Sequence, residues 1–137
     1  MRLKELTLEI KYKDILERYN YNWNQISKYE YLSEEFIEFY KDKLNWDKIS
    51  KCQKLNVNFI EKYKNILNWN YISRYQKLSE PFIEKYKDYV KWNIISVDMN
   101  LSESFIEKYK DYVNWNYIFY GQKLSKEFKE KYKDKLK

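Results

Sequence analysis

Carboxylates and lysines recur along this chain at a spacing that could support acid–base chemistry. Glu38, Glu61, Glu84, Glu107 and Glu130 each stand three residues before a lysine, at Lys41, Lys64, Lys87, Lys110 and Lys133. Paired carboxylates are the tools of glycosidases and of carboxylate metal sites. A catalytic site copied five times in 137 residues would be unusual, and the same spacing has a structural use. On a helix, residues i and i+3 are surface neighbours, and each such pair stabilises by roughly 0.2–0.5 kcal/mol. Asp42, Asp88, Asp111 and Asp134 belong to the same solvated face. Other chemistries lack their residues. The chain has no His, so Cys52, its single cysteine, has no base beside it for nucleophilic catalysis and no second cysteine for a disulfide. One glycine cannot build a phosphate loop, and a His/Cys zinc site lacks its ligands. The sequence predicts no catalytic residue, no metal site and no cofactor.

The elements that hold these residues follow a fixed period. Trp23, Trp46, Trp69, Trp92 and Trp115 are 23 residues apart each time. Aligned on that period, residues 32–54, 55–77, 78–100 and 101–123 are four copies of one unit, and 124–137 is the first part of a fifth. Residues 14–31 form a divergent copy, two residues shorter between Tyr19 and Trp23. Residues 1–13 read as an N-terminal cap, either a helix or an extended arm. A regular period of this size marks a solenoid or array. Within 32–54 the apolar residues Phe36, Ile37, Tyr40 and Leu44 recur at i, i+1, i+4 and i+8. Trp46, Ile49, Ser50 and Gln53 recur at i, i+3, i+4 and i+7. Both patterns line one face of a helix, and neither alternates as a strand does. The expectation is an all-α solenoid of about five two-helix repeats with polar ends. Its first helix would run about 11 residues and its second about 8, each too short to stand alone. Stacking between copies must stabilise them.

Capping residues fall where this scheme needs them. Ser33, Ser79, Ser102 and Ser125 precede the first helix of their copies, and a serine oxygen there accepts from an otherwise unpaired amide. Pro81, the one proline, falls in a first turn, where its missing N–H costs little. Asn45, Asn68 and Asn114 lie between the two helices, where Asn tolerates a left-handed backbone and caps the helix that follows. Lys91 takes that place in the third full copy and caps less well. No segment reaches the roughly 18 apolar residues of a membrane helix, and no signal-peptide core is visible. The chain reads as soluble and cytoplasmic.

The repeat, LSESFIEKYKDYVNWNYI at 101–118 with endings such as ISKCQK and ISRYQK in earlier copies, resembles a family of tandem short helical repeats. That family occurs in uncharacterised proteins of giant viruses, bacteriophages and AT-rich bacteria. The resemblance covers 32–137 closely and 14–31 loosely. It departs at Phe119, which replaces the repeat's Ser, at Asp98 and Met99, and at Val57 and Asn58. It implies a protein-binding role. In a virus or phage that role would be the inhibition of a host defence protein in the host cytoplasm, for example a CRISPR nuclease.

Where copies differ while staying exposed, specificity can be written. The columns Lys43/Ile66/Tyr89/Tyr112, Lys48/Tyr71/Ile94/Tyr117, Lys51/Arg74/Val97/Tyr120 and Cys52/Tyr75/Asp98/Gly121 vary most. Tyr gives large contact area at low entropic cost. The predicted partner-binding residues are Tyr71, Arg74, Tyr89, Ile94, Asp98, Tyr112, Tyr117 and Tyr120, with Asp98 offered to a partner's cation. A protein partner is favoured, and pairing of two copies through the same ridge is open. The alternative is nucleic acid. The net charge is +6 and Lys123, Lys126, Lys129 and Lys133 cluster near the C-terminal end, where they could hold phosphates without reading sequence.

Overall fold

A computed structural model of the chain describes residues 2–136. Regular structure among them is entirely helical. Contacts group the chain into two units, one ending at Asn68 and one starting at Trp69. The first holds α1 (Arg2–Lys11), α2 (Lys13–Arg18), α3 (Trp23–Tyr29), α4 (Glu34–Phe39), α5 (Trp46–Cys52) and α6 (Val57–Tyr63). The second holds α7 (Trp69–Tyr75), α8 (Glu80–Lys85), α9 (Trp92–Asp98), α10 (Glu103–Lys108), α11 (Trp115–Gly121), α12 (Lys126–Lys131) and a 3-10 turn, Lys133–Lys135. Each copy is thus a pair of short helices, as the spacing predicts. Second helices of successive copies stack: α3 on α5 in the first unit, and α7 on α9 and α9 on α11 in the second. The N-terminal segment is helical rather than extended.

The first helix of each copy is shorter than expected, six or seven residues instead of about 11. It stops where a tyrosine turns inward. Tyr40, Tyr86 and Tyr109 close their helices by donating N–H to Phe36, Phe82 and Phe105, then leave helical geometry. The carbonyl of Tyr40 then accepts from both Lys43 and Leu44, which makes a tight turn to the second helix. The tyrosine ring gains contact with the phenylalanine before it and the tryptophan of its neighbour. Tyr63 lies 4.6 Å from Phe59 and 5.1 Å from Trp46. Tyr132 lies 4.8 Å from Phe128 and 4.7 Å from Trp115. Ring packing at these distances outweighs another turn of helix made from exposed Lys and Asp.

Capping follows the sequence in most copies. Ser33, Ser79, Ser102 and Ser125 accept from the amide three residues on, and Asn56 does the same for α6. Asn45 and Asn114 cap α5 and α11 from extended backbone, so the left-handed conformation expected there is not used. It occurs instead at Asn20 and Tyr21 (φ 50° and 58°). There Asn20 N–H donates to Glu17 and Tyr21 N–H to Leu16, the paired bonds of a Schellman ending for α2. Lys91 makes no side-chain cap, as its chemistry predicts.

Two buried polar columns tie copies together. Ser27, Ser50, Ser73 and Ser96 are wholly buried. Ser27 Oγ donates to Trp23 carbonyl at 2.6 Å and accepts the Asn45 amide at 3.0 Å. Ser50 does so with Trp46 and Asn68, and Ser96 with Trp92 and Asn114. Ser73 accepts the Lys91 amide at 2.9 Å. Buried Gln53 and Gln122 supply the second tie. Gln122 donates to the carbonyls of Ser96 and Met99 and accepts from the Leu101 amide; Gln53 makes the same three contacts with Ser27, Glu30 and Leu32. Each thereby satisfies carbonyls at the end of the preceding second helix.

Replacing Ser50 with Ala leaves the Asn68 amide without its acceptor and should cost about 1–3 kcal/mol. Met99→Gln restores the amide clasp that the third full copy lacks and should add about 0.5–1.5 kcal/mol. Urea denaturation followed by circular dichroism measures both; equal midpoints for wild type and Ser50→Ala would show that these bonds do not hold the copies.

Candidate partner-binding face

The varying columns of the second unit lie on second helices that stack in register. Tyr71, Ile94 and Tyr117 occupy one position of α7, α9 and α11; Arg74, Val97 and Tyr120 occupy the position one turn on. They form one ridge because α9 packs against both α7 and α11. Tyr120 is 86% exposed and Tyr117 42%, while Tyr71, Ile94 and Val97 are half-buried. Tyr75, which the sequence reading left out, extends the ridge. It is exposed, and its ring lies 5.9 Å from that of Tyr71. Their i, i+4 spacing was the available signal.

A close helix approach sets the C-terminal edge of this ridge. Gly121 follows Tyr120 on α11, and a Cβ there would meet the Val97 carbonyl oxygen at 3.1 Å. The chain's single glycine lets α11 lie against α9 at that point.

The remaining predicted residues divide. Tyr89 and Tyr112 lie on the turns before α9 and α11 rather than on the second helices, and Tyr112 is as exposed as Tyr117, at 42%. Tyr89 packs on Trp69 at 5.1 Å, and Tyr112 on Trp92 at 5.2 Å and Tyr109 at 5.7 Å. They cover the tryptophans from the turn that links the two helices. Asp98, expected to await a partner's cation, already faces one: Arg74 lies 3.6 Å from it. Both side chains remain well exposed, so this pair is worth little to stability. Lys123, Lys126 and Lys129 are exposed and make no ion pair among the described residues; Lys133 pairs with Glu130 at 2.7 Å. Cys52 is exposed.

The Glu–Lys ladder, where acid–base chemistry would have to lie, works between copies as well as within them. Glu38, Glu61 and Glu130 pair at i+3 with Lys41, Lys64 and Lys133 as the spacing predicts. Glu84 instead binds Lys108 and the Tyr109 hydroxyl, and Glu107 binds Lys131 and the Tyr132 hydroxyl. The partners stand 24 and 25 residues away, in the next copy. Hydrogen bonds from Lys108 and Tyr109 hold the Glu84 carboxyl below its ordinary range, and those from Lys131 and Tyr132 do the same for Glu107. Desolvation, and then the bond to Glu84, push the Tyr109 hydroxyl up to about 12. These groups are locked as charged carboxylate and neutral phenol, the reverse of what proton transfer near neutral pH needs.

Compared with protein families, curated proteins and solved structures, the chain matches none.

The carboxylates contribute stability that is fully present above their unfolded value of 4.5 and is lost as pH falls through their lowered folded values. Tyr109 contributes stability that is present below its unfolded value of 10.0 and is lost as pH rises toward about 12. Urea midpoints recorded against pH should show both limbs. Glu107→Gln should flatten the acid limb and Tyr109→Phe the alkaline one; unchanged limbs in both variants would rule out the ladder as their source.

The split between ridge and packing residues has its own test. Tyr120→Ala should leave the thermal midpoint within the spread of ordinary surface changes, about 0.5 kcal/mol. Tyr112→Ala strips a ring from Trp92 and should lower it. Equal midpoints would return Tyr112 to the ridge.

Proposed function

We propose that this protein is a non-enzymatic binding module that docks a protein partner on the ridge of its C-terminal unit. The observation that carries this reading is the run of tyrosines on stacked helices, ending in the almost fully exposed Tyr120. Tyrosine is enriched in the residues that dominate binding energy, and rings held on short rigid helices lose little entropy on docking. The Arg74–Asp98 pair sits within the apolar stretch and supplies both signs of charge for orientation. The repeat resemblance supports an extension of this reading to an inhibitor of a host defence protein.

Affinity capture from the source cell's lysate, with and without nuclease, tests the proposal. The double variant Tyr117→Ala/Tyr120→Ala should lose the proteins that wild type retains, in the presence of nuclease, while keeping its helical spectrum. Retention that vanishes with nuclease, falls steeply with salt and depends on Lys123, Lys126 and Lys129 would replace it with the nucleic-acid reading.

A further inference from the structure

The divergent first copy lines a mostly apolar cavity, and the buried hydroxyl of one lining residue has no hydrogen-bond partner. In the regular copies a tyrosine hydroxyl meets a glutamate of the copy before it: Tyr63 meets Glu38, Tyr109 meets Glu84 and Tyr132 meets Glu107, the last two at 2.6 Å. A lysine just before the tyrosine joins each carboxylate, at Lys62, Lys108 and Lys131. Tyr40 holds the same place in its copy, yet it has neither partner. Ile15 stands 25 residues before it, and Phe39 takes the place of the lysine. Glu17, the glutamate of the divergent copy, is drawn to Lys13 at 3.7 Å. The Tyr40 hydroxyl is consequently buried with no hydrogen-bond partner, in a residue only 7% exposed.

That tyrosine lines a cavity of about 350 Å³. The apolar wall comes from Leu6, Ile10, Leu16, Tyr21, Trp23 and Tyr40. The shortened link between Tyr19 and Trp23 shapes it. The link turns through two left-handed residues, Asn20 and Tyr21, and a bulky side chain in that conformation is uncommon and held by its surroundings. At the rim, Lys43 lies 5.8 Å from the Trp23 ring and makes no ion pair among the described residues. Glu9 and Lys13 complete the lining. The volume is near the lower end for small-molecule sites, about 300–1,000 Å³, and the make-up is theirs: mostly apolar walls with a few polar groups.

We propose that this cavity binds a small amphipathic monocarboxylate, an aromatic or short acyl body carrying one negative charge. The body packs between Trp23 and the Leu6 and Ile10 side chains. The carboxylate takes the place that glutamate takes in the other copies, accepting from the Tyr40 hydroxyl and facing the Lys43 ammonium. Burial raises the Tyr40 hydroxyl above its ordinary range, so it remains a donor at neutral pH. Glu9 on the same wall repels an anion in proportion to its charge while Lys13 and Lys43 attract it, so a monocarboxylate is favoured over a doubly charged phosphate ester. The hydroxyl is closed from solvent, so the ligand turns a covering side chain aside. Glu9 and Tyr21, which line the same cavity, are both exposed. The site lies wholly in the N-terminal unit and is independent of the ridge.

The probe is 3-phenylpropionate, with 3-phenylpropanol as its uncharged counterpart, titrated into the full-length ¹⁵N-labelled protein. The readout is the indole N–H signals, one for each of the five tryptophans. Saturable movement of the Trp23 signal is expected, with the other indole signals in place. The alcohol should bind about tenfold more weakly, the scale of one charge-assisted contact. Tyr40→Phe and Lys43→Met should each weaken the acid and leave the alcohol unchanged. Tyr40→Phe removes a hydroxyl that bonds to nothing, so the fold is kept, and the other indole signals report that directly. Acid and alcohol binding alike, uniform movement of all five indole signals, no saturation by about 10 mM, or undiminished acid binding by Tyr40→Phe would each overturn the proposal.

Discussion

A serine hydroxyl at the centre of four of the second helices, at Ser27, Ser50, Ser73 and Ser96, is the bond on which this architecture turns; Phe119 takes its place in α11. In Ser27, Ser50 and Ser96 it donates to the tryptophan carbonyl one turn earlier, and in all four it accepts the amide of the residue just before the next copy's second helix, 18 residues on. No other side chain of that size does both. Alanine would leave the amide unpaired in an apolar interior, and a larger polar side chain would hold the helices apart. Because the hydroxyl joins copy to copy within each unit, it fixes the distance and register of the helices there. The fully buried isoleucines beside it, Ile26, Ile49, Ile72 and Ile95, then meet neighbours at a repeated spacing. Helices of six or seven residues gain from this a stability that their own hydrogen bonds do not supply.

The glutamine clasp and the Tyr–Glu–Lys ladder act on the outside of the same stack. The clasp deals with a cost that short helices carry heavily: every end leaves carbonyls unpaired, and the twelve short α-helices among the described residues have many ends. One buried Gln answers two of those carbonyls and one loop amide at once. The ladder is weaker, being largely exposed, but its tyrosines carry the ring that ends each first helix. One side chain thus sets helix length from its ring and copy spacing from its hydroxyl.

Much of this was legible in the sequence because the period repeats. The tryptophan spacing, the helical apolar pattern, the serine caps at Ser33, Ser79, Ser102 and Ser125 and the weak corner at Lys91 all follow from residue type and position. Helix length was not legible. A run such as FIEFYKDKL is compatible with an unbroken helix, and only the gain from turning the tyrosine under the neighbouring tryptophan stops it early. The ladder was misjudged for a related reason. Spacing i to i+3 is visible along a helix, whereas Glu84 to Lys108 is visible only once copies are stacked. The ridge was half legible. Columns that vary include residues on the second helices and residues on the turns between helices, and variation alone does not separate Tyr117 on α11 from the equally exposed Tyr112, which packs on Trp92.

The divergent copy shows what regularity conceals. In the regular copies the inward tyrosine hydroxyls at Tyr63, Tyr109 and Tyr132 each have a glutamate partner supplied by the neighbouring copy. Deleting two residues before Trp23 shifts one carboxylate out of reach of one tyrosine. The chain then ends α2 with a Schellman turn through Asn20 and Tyr21 in place of the usual tyrosine-closed corner. The hydroxyl, the opened wall and the left-handed tyrosine are one consequence seen from three sides. A repeat protein that needs a second kind of site acquires it most cheaply in this way, by breaking the register of one copy at an end and leaving the internal ties of the others intact.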